Sequence, residues 1–186
     1  PYLYLGNSVA LINGVGGIGH ETARLLTEFG VKVIGVDPRP EYQVEGMEIY
    51  PPEKLKELLP QADFVITTVP HTPVTEFTFN SETFGLMKNT AYFINIGRGM
   101  VCKIDDLADA IESGNIAGCG LDVYEIEPLP SDHKLWGLDN VLMTPHVAIV
   151  DAENIPERRF EILLDNAKSF LSGDSLNNVV DKETWY

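Results

Sequence analysis

Three glycines and one aspartate carry the first chemical signal. The run GVGGIGHETARLL (14–26) lies between the apolar SVALIN and the second apolar run VKVIGVD. Gly14, Gly16 and Gly19 show the spacing G-x-G-x-x-G, behind one strand pattern and in front of a helical one. Glycine weakens a helix, so each position implies a demand for bare backbone. Gly14 allows a tight turn, Gly16 lets an anionic group touch main chain, and Gly19 lets helix pack on strand. The helix start adds N–H groups and a partial positive charge, which suits a pyrophosphate. Asp37 closes the next strand 18 residues beyond Gly19, near the roughly 20 of a dinucleotide fold. Its carboxylate can accept ribose hydroxyls and repels a 2′-phosphate, so the expected cofactor is NAD. Arg39 offers that phosphate a guanidinium and keeps NADP as the alternative.

These residues need a particular scaffold. SVALI reads as a strand, followed by a helix with Ile18, Thr22, Leu25, Leu26 and Phe29 on one face and Gly30 as its stop. KVIGVD, DFVITTVP, AYFINIG, AGCGLDVY and NVLMTPH read as further strands. PEKLKELLPQA, SETFGLMK (N-capped by Ser81), IDDLADAIESG (closed by Gly114) and IPERRFEILLDNAKSFLSG read as helices. The last helix presents Phe160, Leu163, Leu164, Ala167 and Phe170 on one side. Strict alternation predicts an α/β fold with a doubly wound parallel sheet of Rossmann type. The longest break in the pattern is EIEPLPSDHKLWGLD.

The totals narrow the partners. At 186 residues the chain can bury a substantial core. A net charge of −15 repels phosphate backbones and anionic lipid, so neither nucleic acid nor membrane is an expected partner. Cys102 and Cys119 have no metal-ligand spacing and form no disulfide framework. No metal is expected, and a reducing, cytoplasmic setting is.

Four later segments occur in one order: VPHTPVT (69–75), LMKNTAYFINIGRG (86–99), LADAIESGNIAGCGLDVYEIEPLP (107–130) and NVLMTPHVA (140–148). Together they resemble the nucleotide-binding domain of the D-isomer-specific 2-hydroxyacid dehydrogenases, which include glyoxylate/hydroxypyruvate reductases. The similarity runs from about residue 8 to the closing NNVVDKE. It implies hydride transfer between a nicotinamide cofactor and a small 2-hydroxy or 2-oxo acid. By this resemblance Arg98 grips the substrate carboxylate and carbonyl, His146 is the acid/base, and Glu127 holds and tunes the imidazole. Glu125 and Asp122 are rivals for that last role. The resemblance also assigns cofactor contacts. Gly17 and Ile18 offer N–H groups to the pyrophosphate, and Val69, Pro70 and Thr75 border the adenosine side. Ile96, Gly97, Arg98, Asp122 and His146 approach the nicotinamide end. His20, His71 and His133 are expected to face solvent.

The resemblance further implies a NAD-binding domain over residues 1–152. A C-terminal helix and tail over 153–186 would return to a substrate lobe in a complete family member. Only seven residues precede the first strand, so the chain is expected to be the cofactor half of a longer dehydrogenase, truncated before that lobe; a homodimer is compatible with the resemblance. The contrasting expectation is a catalytically idle NAD-binding module that senses redox state or pairs with a partner, like the related corepressors. Asn13, Lys103, Ile149 and Val150 depart from the family pattern, the last two being bulky where small residues are usual.

Overall fold

A computed structural model describes residues 4–39, 46–149, 154–183 and 185. The chain divides into two compact units, residues 1–146 and 147–186. The boundary expected at 152/153 lies outside the described residues, as does Val150.

In the first unit seven parallel strands form one sheet, ordered β3-β2-β1-β4-β5-β6-β7. They are β1 (Val9–Asn13), β2 (Lys32–Val36), β3 (Glu48–Tyr50), β4 (Phe64–Thr67), β5 (Tyr92–Asn95), β6 (Gly118–Leu121) and β7 (Val141–Met143). The helices are α1 (Gly17–Glu28), α2 (Leu55–Leu58), α3 (Ser81–Gly85) and α4 (Ile104–Glu112). The strand order reverses between β1 and β4, the switch point at which doubly wound sheets bind ligands.

The apolar residues sort by strand alternation onto two faces. Leu11, Val36, Val65 and Phe93 point into one cluster with Leu55, Leu58, Phe84 and Leu107 of α2, α3 and α4. Ala10, Ile12, Val33 and Ile66 point into the other, with Ala23 of α1. Within the first cluster Phe79, Phe84 and Phe93 pack ring to ring, Phe93 lying 4.8 Å from Phe79 and 5.2 Å from Phe84.

Three local expectations are corrected, and one strand had not been anticipated. α1 buries Gly19 and Ala23, whereas Ile18, Leu25 and Phe29 are exposed. Small residues face the sheet because a Cβ on Gly19 would lie 2.0 Å from the Gly14 carbonyl oxygen, so only a slim face approaches so closely. The cap of α3 is Asn80 rather than Ser81; its side chain accepts from Glu82 and Thr83 N–H, and Thr83 reciprocates. β3 is an edge strand of three residues with no apolar run to announce it. His133 is largely enclosed rather than solvent-facing, its side chain 11% exposed. Its Nδ1 accepts from Leu135 N–H. The proton therefore sits on Nε2, 3.3 Å from Asp105 Oδ1 but outside hydrogen-bonding geometry.

The second unit holds α5 (Ile155–Ser172), ended by Gly173 in the left-handed region. Its apolar side chains, Phe160, Leu163 and Phe170 among them, are exposed. Among the described residues no helix is long and apolar enough to cross a membrane.

Candidate active site at the carboxyl edge of the sheet

The register of the sheet places the site. Val36, Asn13, Thr67, Asn95, Leu121 and Met143 are successive partners in one row across β2, β1, β4, β5, β6 and β7. The next residue on each strand is therefore Asp37, Gly14, Thr68, Ile96, Asp122 and Thr144, all on one rim. Backbone bonds extend the ladder into it: Thr68 N–H to Asn13, Asp122 N–H to Asn95 and Thr144 N–H to Leu121. From Asp37 to Asp122 is four strand spacings, about 19 Å.

At the adenosine half of the rim, Gly14 adopts φ +97°, and Thr68 Oγ1 donates to its carbonyl at 2.6 Å. Gly16 and Gly17 differ from Gly14 and Gly19 in kind. A Cβ on either would meet no protein atom within 4 Å, so the fold itself has no need of glycine there. Both are exposed, as is Ile18, and no side chain caps the α1 N-terminus. This cradle of bare main chain suits a pyrophosphate.

Asp37 is 3% exposed. One carboxylate oxygen accepts Val15 N–H at 2.8 Å, and the other accepts Arg39 N–H at 2.9 Å and Arg39 Nε at 3.3 Å. The acid thus ties the glycine loop to β2 and holds the Arg39 guanidinium beside itself. Val69 is buried and Pro70 exposed. Thr75 Oγ1 donates to Pro70 O at 2.6 Å, closing a turn over that corner.

At the other half, Asn95 is 1% exposed and shapes the IGRG turn. Its Oδ1 accepts Gly97 N–H and its Nδ2 donates to Arg98 O, both at 3.1 Å. Gly97 must be small, because a Cβ there would lie 2.8 Å from Val69 O. Arg98 itself is exposed, its guanidinium donating to Gly97 O at 2.7 Å. Gly99 seats this turn against the next one: a Cβ would overlap Tyr124 O at 1.8 Å.

The structure brings Glu127 and His146 together. Glu127 Oε2 lies 2.7 Å from His146 Nδ1, and Glu127 Oε1 accepts Tyr124 N–H at 3.0 Å. Burial pushes the Glu127 carboxyl up, but the hydrogen bonds from His146 and Tyr124 N–H and the charge of the imidazole outweigh it, leaving it below the ordinary value. An ionised carboxylate can only accept, so Nδ1 carries the hydrogen and Nε2 is left for other chemistry. The rivals have other work. Glu125 accepts Ile104 N–H at 3.3 Å, at the start of α4, supplying the acceptor that Lys103 lacks. Asp122 is 7% exposed and accepts Thr144 Oγ1 at 2.6 Å. The Asn13 amide is also satisfied, donating to Thr67 Oγ1 at 3.4 Å. Ile96 is half-buried and Ile149 is exposed.

Beside the pair is a cavity of about 380 Å³, walled by Tyr124, Leu129, Trp136, Met143 and Pro145 as well as Glu127 and His146. Neither buried cysteine belongs to the rim. Burial pushes the Cys119 thiol up to about 12 and the Cys102 thiol well above its usual range.

Residues 2–148 match the family model described as D-isomer specific 2-hydroxyacid dehydrogenase, NAD binding domain. The chain belongs to that family. It is 43% identical over 146 residues to the human glyoxylate reductase/hydroxypyruvate reductase, covering 77% of this chain and 44% of that protein. It is 38% identical over 182 residues to a glyoxylate reductase of Thermofilum pendens, covering 96% and 52%. This member of the family thus spans about half the length of these relatives. Among solved structures, a D-isomer specific 2-hydroxyacid dehydrogenase from Xanthobacter autotrophicus Py2 in complex with NADPH and MES superposes with a TM-score of 0.92. That match has 32% identity and covers 100% of this chain and 77% of the other. An NADPH-dependent glyoxylate/hydroxypyruvate reductase from Sinorhizobium meliloti, in complex with NADP and sulfate, gives 0.91 at 34% identity, covering 100% and 59%.

Sequence reasoning missed Asn95, Thr68, Tyr124 and Thr144, which hold the rim together. The signal for Asn95 is an asparagine two residues before a glycine at a strand end, the pattern of an Asx turn.

Proposed function

We propose that this domain binds NAD(P)H along the rim, with NAD preferred, and serves hydride transfer to and from a small D-2-hydroxy/2-oxo acid. The observation that carries this is the Glu127–His146 pair on the same edge as the open glycine cradle. The fit to a dinucleotide rests on Gly16 and Gly17, where backbone is open and nothing in the protein requires glycine. Gly16, Gly17 and Ile18 would hold the pyrophosphate and Asp37 the ribose. Val69, Pro70 and Thr75 would border the adenosine side, and Ile96, Gly97 and Asp122 the nicotinamide. When bound, that ring supplies or accepts the hydride.

The chain's own residues do the rest. Arg98 swings from Gly97 O to grip the acid's carboxylate and carbonyl oxygen, polarising the carbonyl as charge develops on it. His146, as imidazolium, donates the Nε2 proton to that oxygen; in the reverse direction neutral Nε2 takes it back. Glu127 fixes the ring through Nδ1 and so leaves Nε2 for the substrate oxygen. The retained Glu127–His146 geometry supports an enzyme over an idle redox-sensing or corepressor-like module. NAD over NADP is supported by the buried Asp37, which already holds Arg39.

Nicotinamide absorbance during reduction of glyoxylate or hydroxypyruvate tests this reading. His146→Gln should lower kcat by about 100-fold or more, while NADH still binds. Unchanged turnover would overturn the assignment.

A further inference from the structure

We infer that Tyr124 is a positioning residue for the acid/base pair, acting through its hydroxyl as a latch between β6 and β7. The inference rests on the functional reading above and names a residue that reading does not use. Tyr124 holds both partners by different atoms. Its main-chain N–H donates to Glu127 Oε1 at 3.0 Å. Its hydroxyl donates at 2.9 Å to the carbonyl of Thr144, and that same carbonyl accepts the His146 N–H at 3.1 Å.

That second link matters because of how His146 is held. The turn from Thr144 through Pro145 to His146 closes over two residues, and His146 sits at φ +53°, a left-handed conformation unfavourable for a side-chain-bearing residue. Such a conformation persists only where its surroundings fix it. The turn hangs beyond β7, the last strand of the sheet, and among the described residues no further strand clamps it. Its base is anchored by Thr144 N–H to Leu121 O at 2.9 Å, by Thr144 Oγ1 to Asp122 Oδ1 at 2.6 Å and to Leu121 O at 3.4 Å, and by the Tyr124 hydroxyl. The bonds from Thr144 N–H and Oγ1 fix the β7 end of the turn. The hydroxyl grips the carbonyl that His146 uses.

Tyr124 is suited to the task. Its residue is 8% exposed, so the ring has one orientation. Burial, with the charges of Asp122 and Glu127 among the causes, raises its phenol above the ordinary value, so it remains a donor across the working pH range. Gly99, pressed against the Tyr124 main chain, backs the same residue from the Arg98 side. The cavity beside the pair has the Tyr124 ring as one wall, so Phe can keep the packing while removing the latch.

The test uses the ¹⁵N-labelled chain with Tyr124→Phe and Glu127→Gln. The ring-nitrogen shifts of His146 are read at about pH 8, where a typical imidazole is mostly neutral. In the wild type the Nδ1–H tautomer should dominate, since Nδ1 faces the Glu127 carboxylate. Tyr124→Phe should lower the Nδ1–H to Nε2–H ratio roughly fivefold, the weight of one hydrogen bond, with the remaining amide spectrum retained; Glu127→Gln reports the ratio with the anion gone. A wild-type ratio in Tyr124→Phe overturns the latch. Turnover of Tyr124→Phe should fall with KM for NADH unchanged. If His146→Gln turns over normally, the functional reading fails, yet the tautomer ratio still decides whether Tyr124 positions the pair.

Discussion

Alanine at Gly17 and at Gly19 of the glycine loop separates a glycine a ligand needs from one the fold needs. Gly19→Ala places a Cβ 2.0 Å from the Gly14 carbonyl oxygen and 3.0 Å from its carbon, both backbone atoms that cannot rotate away. The start of α1 must then move off Gly14 by roughly 1.4 Å to restore ordinary contact. Overpacking of this kind costs about 1–3 kcal/mol, or roughly 3–10 °C in Tm for a chain of this size. Gly17→Ala is the opposite case. The residue lies in α1 with open space around its Cβ, so alanine should be neutral or stabilise by up to about 1 kcal/mol. Its methyl group nevertheless occupies the approach to the helix N–H groups. Losing one charge-assisted hydrogen bond there costs about 1.5–3 kcal/mol, a roughly 10- to 150-fold weaker Kd. Thermal unfolding and NADH fluorescence titration on the two variants supply the assay. Gly17→Ala that binds NADH normally, or Gly19→Ala of wild-type Tm, would refute the division.

Three further outcomes follow from the rim and the sheet. Asp37→Ala strips the acceptor from the buried Val15 N–H, costing about 1–3 kcal/mol and releasing Arg39; NADPH should gain on NADH, and unchanged preference would show that Asp37 is not the selector. Asn95→Ala frees the Gly97–Arg98 turn, so KM for the 2-oxo acid should rise about tenfold while the Kd for NADH holds; equal changes in both would contradict a role specific to Arg98. For Asp63, burial raises the carboxyl, but Lys88 and Val9 N–H pull it below its ordinary value. Its stabilisation is therefore full above the unfolded value of about 3.9 and fades as pH falls through the lower folded value. Asp63→Asn should flatten stability against pH below about 4, and an unaltered acid limb in urea melts would contradict it.

What the sequence made legible followed from strong patterns. The parallel order and the glycine loop were readable because buried strands are continuous apolar runs and because G-x-G-x-x-G sat between a strand and a helix. The resemblance picked Glu127 over Glu125, but the physical ground is visible only in three dimensions, since both follow β6 and one reaches His146 while the other reaches α4. The face of α1 was misread because Gly19 and Ala23 add almost nothing to an apolar pattern, although close packing prefers them. β3 escaped notice because a three-residue edge strand needs no hydrophobic alternation. The Tyr124 hydroxyl and the Asn95 amide could not be weighed from sequence, because each acts on backbone that only the tertiary fold brings near.

The account depends most on a dinucleotide lying along this rim, and amide chemical-shift mapping with NADH reads that directly. Saturating shifts should appear at Gly16–Gly19, Asp37, Val69, Ile96 and Asp122, with the Asp63 and Lys88 amides unmoved. Perturbations absent from the rim, or gathered elsewhere on the surface, would contradict the site itself.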